Sequence, residues 1–138
     1  MPNQTHVNIL REGYKVWNPW REKNRITNPD FHNANLQKFY LRKANLSNAD
    51  LRNANLEQAN LRKADLCYAN LEGANLRRAR LSSALLKGAL LNDATLRDSC
   101  LDKADLRGAS LFQADLTKAL LIETQLTDAT LKRSLPVH

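Results

Sequence analysis

From Leu36 to Leu131 a leucine stands at every fifth position without a miss. Two residues before each leucine comes an alanine, with Phe39, Ser99 and Thr124 as the exceptions. The position between them is Asn or Asp in ten of the twenty units, and the two that follow are mostly polar. The unit reads Ala-Asn/Asp-Leu-x-x and recurs twenty times over residues 34–133.

A period of five fits neither regular element. On an α-helix, five steps of roughly 100° scatter successive leucines about 140° apart. On a continuous strand an odd period sends alternate leucines to opposite faces. Burying all twenty together requires the chain to turn once per unit, so that Ala and Leu share an inward face of a short extended piece. The chain then coils and stacks on itself, each repeat touching mainly its neighbours.

Units such as Ala44-Asn45-Leu46-Ser47-Asn48 and Ala54-Asn55-Leu56-Glu57-Gln58 closely resemble those of the pentapeptide repeat proteins. The resemblance implies an all-β solenoid, a right-handed quadrilateral β-helix with four pentapeptides per coil. Twenty units then make about five coils, a rod about 24 Å tall at an inter-strand spacing of about 4.8 Å. Leucine fills its axis, alanine fits where the coils are tight, and bulky Phe39 belongs in a first coil beside a cap.

Residues 1–28 are not repeats, 29–133 form the solenoid, and 134–138 a short tail. Val7, Leu10, Tyr14 and Trp17 fall at helical spacing and predict a short amphipathic helix. Asn18-Pro19 either interrupts it or opens a second helical turn. With Tyr14, Trp17 and Trp20 concentrated here, the segment reads as a lid over the first coil, whose edge and leucines need cover. Gly13–Arg21, with its WNxWR core, is similar to the leader before the repeats in many cyanobacterial members of the family. Phe31, five before Leu36, is a natural zeroth central residue.

Gly73, Gly88 and Gly108, with Asn33, Asn48 and Asn53, all fall two after the central residue. Both types tolerate positive φ, so this is the expected corner, of the type II kind. Proline is absent between Asp30 and Leu135, as backbone donors engaged in coil-to-coil ladders require. Asn35, Asn55 and Asn75 fall one above another and predict a side-chain amide ladder.

The net charge of +7 permits an anionic partner without demanding one. Folded at twenty residues, the sequence gathers Arg42, Lys43, Arg62, Lys63, Arg77, Arg78 and Arg80 into a basic surface fit to meet several phosphates, with Asp98, Asp102 and Glu57 interleaved and no aromatic residue expected in it to stack bases. Leu85, Leu90, Phe112, Leu120 and Ile122 replace or flank polar outward positions and form a candidate apolar interface in the C-terminal half. Some family members mimic duplex DNA and protect DNA gyrase, which needs an acidic rod; a basic chain argues against that role here.

Catalysis finds no support. His6, His32 and His138 fall in unrelated places, with no phosphate loop or metal-ligand spacing, and a leucine-filled axis leaves no substrate cavity. The expectation is no enzyme activity, no cofactor, no metal and no small-molecule substrate. Cys67 and Cys100 fall too far apart in the repeat frame to pair, and free thiols suit a cytoplasmic setting. No apolar run approaches membrane length. The sequence therefore predicts a rigid scaffold for protein partners, with a second copy of itself through the C-terminal half as one of them. Nucleic-acid or other polyanion binding through the basic face is the alternative.

Overall fold

The computed structural model describes all residues except Arg133, Ser134 and His138, so the last repeat position and two residues of the 134–138 tail lie outside the described residues. Each repeat has five backbone N–H groups to satisfy, and the unit Ala54–Gln58 shows how. Ala54 N–H donates to Leu51 across a tight turn at 3.1 Å. Asn55 N–H donates to Ala34 one coil below at 2.9 Å, while Leu56 and Gln58 donate upward to Asn75 and Arg77 at 2.7 and 2.9 Å. The fifth donor, Glu57 N–H, goes to the Asn55 side-chain oxygen at 3.1 Å. Where Asn or Asp precedes the central leucine, its side chain therefore accepts from the one amide that neither turn nor ladder uses, an Asx turn repeated at ten of the twenty units.

The corners follow the turn chemistry. All twenty positions from Asn33 to Asp128, two after each central residue, have φ between 56° and 69°. The residues just before them do not, and an i→i+3 bond closes each turn, which is the type II form. Lysine, arginine and glutamine occupy many of these corners, so the fold imposes the left-handed conformation even where the side chain disfavours it.

Parallel bridges join every residue before a central leucine to its counterpart twenty residues on, from Asp30↔Asp50 to Asp115↔Leu135. Four units thus complete one coil, and five coils are followed by the start of a sixth. The extended pieces expected on each side shrink to a single bridged residue, because a turn in every unit leaves room for no more; the described residues contain no longer strand. The central leucines from Leu36 to Leu111 are at most 1% exposed, with Phe31 below them at 0%. Ser99 and Thr124 fit the alanine column because their hydroxyls donate to the Leu96 and Leu101 carbonyls at 2.6 and 2.8 Å. Phe39 lies in the first coil, half-buried, with the Arg11 guanidinium 5.4 Å over its ring.

The N-terminal segment forms two helices, α1 (Gln4–Arg11) and α2 (Tyr14–Lys23). The break falls at Gly13, whose φ of +91° caps α2, and not at Asn18-Pro19. Pro19 sits inside α2, where its missing N–H costs a helical bond, and the contacts of its neighbours with the first coil hold the segment in place. Trp17 is fully buried against Phe31, ring centroids 5.5 Å apart, and its indole N–H donates to the Asn45 carbonyl at 2.8 Å. The Asn18 amide accepts from Asn45 N–H at 2.8 Å and donates to the Lys43 carbonyl at 3.0 Å, as a neighbouring coil would. Arg21 donates to the Ile26, Thr27, Asn45 and Ser47 carbonyls. On another side, Asn3 N–H donates to the Asp30 carbonyl and His6 Nδ1 accepts from Asp30 N–H.

Burial lowers the pKa of His6, with Asp30 pulling the other way. A neutral ring is thus favoured in the folded state, while the unfolded chain protonates near the ordinary value of about 6.5. Stability falls as pH drops through that value and levels off below the depressed one. Acidifying from pH 7.5 to 5.5 should therefore lower the melting temperature of the protein more than that of His6→Gln. Equal losses in the two proteins would contradict the role of His6.

Candidate binding surfaces

The four sides of the rod are distinguished by their first central residue: Phe31, Leu36, Leu41 and Leu46. Arg42, Arg62 and Arg80 stand on the Leu41 side, Lys43 and Lys63 at its far corner, and Arg78 at its near corner. Arg77 stands on the adjoining Leu36 side. The expected basic surface thus exists as one tract over the first three coils.

Among the described residues, carboxylates pair with Arg52, Arg97 and Arg107, at 2.7, 3.5 and 2.7 Å, and with His32. None of the seven expected basic residues makes an ion pair. The Arg52 and Arg107 forks, by hydrogen bond first, hold the carboxyls of Asp50 and Asp105 below the ordinary range. Higher on the Leu41 side the chemistry changes, with Asp98, Asp102 and Glu123 appearing in the columns that hold cations below.

Tyr40, which the sequence reading passed over, is 59% exposed at the foot of this side. With Lys38, Gln58, Asn60, Arg78 and Arg80 it lines an open depression of about 490 Å³. A second of about 330 Å³, beside the cap, is lined by Tyr40, Arg42, Glu12, Gly13, Tyr14 and Lys15. Tyr14, expected as a cap residue, is half-buried with the Lys43 ammonium 5.8 Å from its ring centroid. Trp20, also half-buried, packs on Trp17 at 5.6 Å.

The five apolar candidates do not form one patch. Leu85 lies on the Leu46 side, with Leu90 and Phe112 around the corner on the Phe31 side. Leu120 and Ile122 stand on the opposite, Leu41 side, 53% and 65% exposed. The register explains the split, since four units per coil put residues about ten apart on opposite sides. Where Ser110 and Leu120 stand in place of the Asx acceptor, a polar neighbour one coil below serves instead: Asn92 Oδ1 accepts from Phe112 N–H, and Asp102 Oδ1 from Ile122 N–H.

At the C-terminal end the core opens. Leu121 and Leu126 are half-buried, while Leu131 and Leu135 are 40% and 51% exposed. An apolar cavity of about 190 Å³ lies among Leu106, Leu111, Leu116 and these side chains, with Pro136 and Val137 on its rim.

Asp30, His32 and Asp50 bring three possible metal-ligand atoms within 4.8 Å of one another. The trio is already a closed network, however. Arg52 forks both Asp50 oxygens at 2.9 and 2.7 Å, and His32 Nδ1 lies 2.6 Å from Asp30 Oδ1. The cysteines are unpaired. Burial and then Asp65 push the Cys67 thiol up to about 11, which leaves it protonated and inert at neutral pH. The expected amide ladder reduces to one rung, Asn75 Nδ2 to Asn55 Oδ1 at 3.4 Å, because the oxygens serve the Asx turns. No helix among the described residues is long and apolar enough to cross a membrane.

A family model described as pentapeptide repeats matches eight copies, over residues 29–66, 44–82 and 74–113. Among solved structures, a pentapeptide repeat protein of the Arabidopsis thaliana thylakoid lumen is 29% identical, with a TM-score of 0.62 over 64% of this chain and 61% of its own. One from the cyanobacterium Cyanothece 51142 is 38% identical, with a TM-score of 0.52 over 72% and 65%. Another, from Nostoc Pcc 7120, is 29% identical, with a TM-score of 0.56 over 82% and 95%. The chain thus spans under two thirds of the length of the first two. No curated protein matches it.

Proposed function

Because the chain belongs to the pentapeptide repeat family, whose fold is the right-handed quadrilateral β-helix, we propose a non-enzymatic role: a rigid scaffold for protein–protein interaction. Proteins of this family are generally non-enzymatic. The observation that carries the reading is the filled axis: the central leucines from Leu36 to Leu101 are at most 1% exposed, the apolar cavity lies beyond them at the C-terminal end, and recognition falls to outward positions and that end. A solenoid suits this, because those positions vary without touching the core.

The partner surface lies in the C-terminal half, at Leu120, Ile122 and the open end beside them, and a second copy of the chain is its first occupant. Light scattering with size exclusion should give about twice the 15.7 kDa of one chain at tens of micromolar. Leu120→Lys/Ile122→Lys should return the mass to one chain with the melting temperature kept. A monomeric parent protein would contradict self-association. The unpaired thiols suit a reducing, cytoplasmic compartment; the Arabidopsis relative is a thylakoid-lumen protein, so the thiols and not the fold support this placement.

One observation favours a second reading, a polyanion surface on the Leu41 side and the adjoining Arg77: the seven cations make no ion pair among the described residues. Unpaired charge of one sign raises the local concentration of an anionic ligand. The same charge argues against DNA mimicry as a route to gyrase protection, since a mimic must present the phosphates' sign.

A further inference from the structure

The corners carry a selective signal. Every corner has φ near +60°, a conformation that glycine, asparagine and aspartate accept and that costs other residues roughly 1–2 kcal/mol. The two corner columns away from the Leu41 side respect this at all but two positions, Tyr68 and Gln113. One reads Asn33, Asn53, Gly73, Asp93, Gln113 and the other Asn48, Tyr68, Gly88, Gly108, Asp128, with no cation in either. The two columns bordering the Leu41 side read Lys38, Gln58, Arg78, Asp98, Lys118 and Lys43, Lys63, Ser83, Lys103, Glu123. Six of those ten are cations, and none is glycine or asparagine. Solubility alone would be served as well by cations on any side. Backbone strain is accepted at nine of the ten corners on the edges of this side and at only two, Tyr68 and Gln113, of the ten elsewhere, which marks that side as selected for positive charge.

Between those edges stands Tyr40, 59% exposed. Above it in the same column come Asn60 and then Arg80, bridged coil to coil. A phenol ring, an amide and a guanidinium in file, flanked by lysines, combine π-faces with phosphate-binding charge. Single-stranded nucleic acid is bound in this way, its backbone tracked by cations and its bases stacked on aromatic or guanidinium planes. A duplex hides its base faces and would gain nothing from Tyr40. Acidic Asp98, Asp102 and Glu123 above the third coil limit the tract to a few nucleotides.

We infer that the Leu41 side, from Lys38 and Tyr40 up to Arg78 and Arg80, binds single-stranded nucleic acid, with a base stacked on Tyr40 and phosphates on the flanking cations. This rests on the polyanion reading and adds the base to it. The test is fluorescence anisotropy of a labelled twelve-nucleotide oligothymidylate at 50 and 150 mM salt, with inorganic polyphosphate as unlabelled competitor and a matched duplex alongside. Expected are tighter binding of the single strand than of the duplex, and a fall in log affinity with log salt of about 0.7 per phosphate engaged. Arg62→Glu/Lys63→Glu should lose binding. Tyr40→Leu, with its melting temperature unchanged, should weaken the oligonucleotide at least about fivefold, the low end of base–aromatic stacking, while polyphosphate still binds. Unchanged oligonucleotide affinity in Tyr40→Leu, or preference for the duplex, would overturn the base contact and leave the polyanion reading standing. No binding to either polymer at 50 mM salt would overturn both.

Discussion

Leu81→Asp should abolish the cooperative β transition in a far-ultraviolet circular dichroism melt. Leu81 is fully buried at the middle of the axis, in the third of five coils. Removing its side chain alone costs about 2–5 kcal/mol. A carboxylate in its place has no partner among leucines, and burying it adds several kcal/mol more. Total stabilities of about 5–15 kcal/mol do not absorb that sum. Nor can the rod retreat into halves, because only two coils remain on either side, and stacked repeats need neighbours on both faces. A variant that kept a single cooperative transition near the parent temperature would mean that Leu81 does not face a closed axis.

Trp17→Ala should produce the next largest effect, about 3–5 kcal/mol, with a different reach. Trp17 fills the lower end of the axis against Phe31 and donates to the Asn45 carbonyl. Losing it opens a cavity under the first coil and leaves the Asn45 carbonyl to Arg21 alone. The cap should loosen first, and hydrogen exchange should quicken at Asp30 and Asn45 while the amides of Leu61–Leu86 keep their protection. Exchange that rose equally through all five coils would show that the cap nucleates the rod and does not merely cover it.

The solenoid was legible because one physical demand, burying a leucine every five residues, admits few chain paths. The corner positions followed from glycine and asparagine, and Phe31 from its register. What the sequence hid was hydrogen bonding that has no period. Arg21 stood only as the end of the WNxWR leader, yet it is buried at 7% exposure and holds four carbonyls of the cap and first coil. Asn18 read as a helix breaker or cap beside proline, while its amide completes the first coil's edge. Gly13 ends α1 through a φ that spacing alone does not reveal. The Asn/Asp position suggested ladders, because stacking is visible in a twenty-residue frame and an orphan amide is not.

The binding surfaces were half legible for a related reason. Charge on neighbouring columns survives folding, so the basic residues stayed together. Leu85 and Leu120 were grouped by distance along the chain, and the coil separates them onto different sides. Tyr40 was overlooked because an aromatic in the Asx position looks like a lapse in the repeat until its exposure and its neighbours Lys38 and Arg80 are seen.

Separation of a self-sufficient core from a replaceable surface is tested most directly by one melt. Arg42, Lys43, Arg62, Lys63, Arg77, Arg78 and Arg80 would all be changed to glutamine and the protein compared with its parent at 150 mM salt. Because these side chains make no ion pair and no leucine depends on them, the melting temperature should stay within a few degrees and the transition should remain cooperative. Loss of the folded rod in the neutralised protein would contradict the separation, and with it the assignment of those seven residues to recognition rather than to stability.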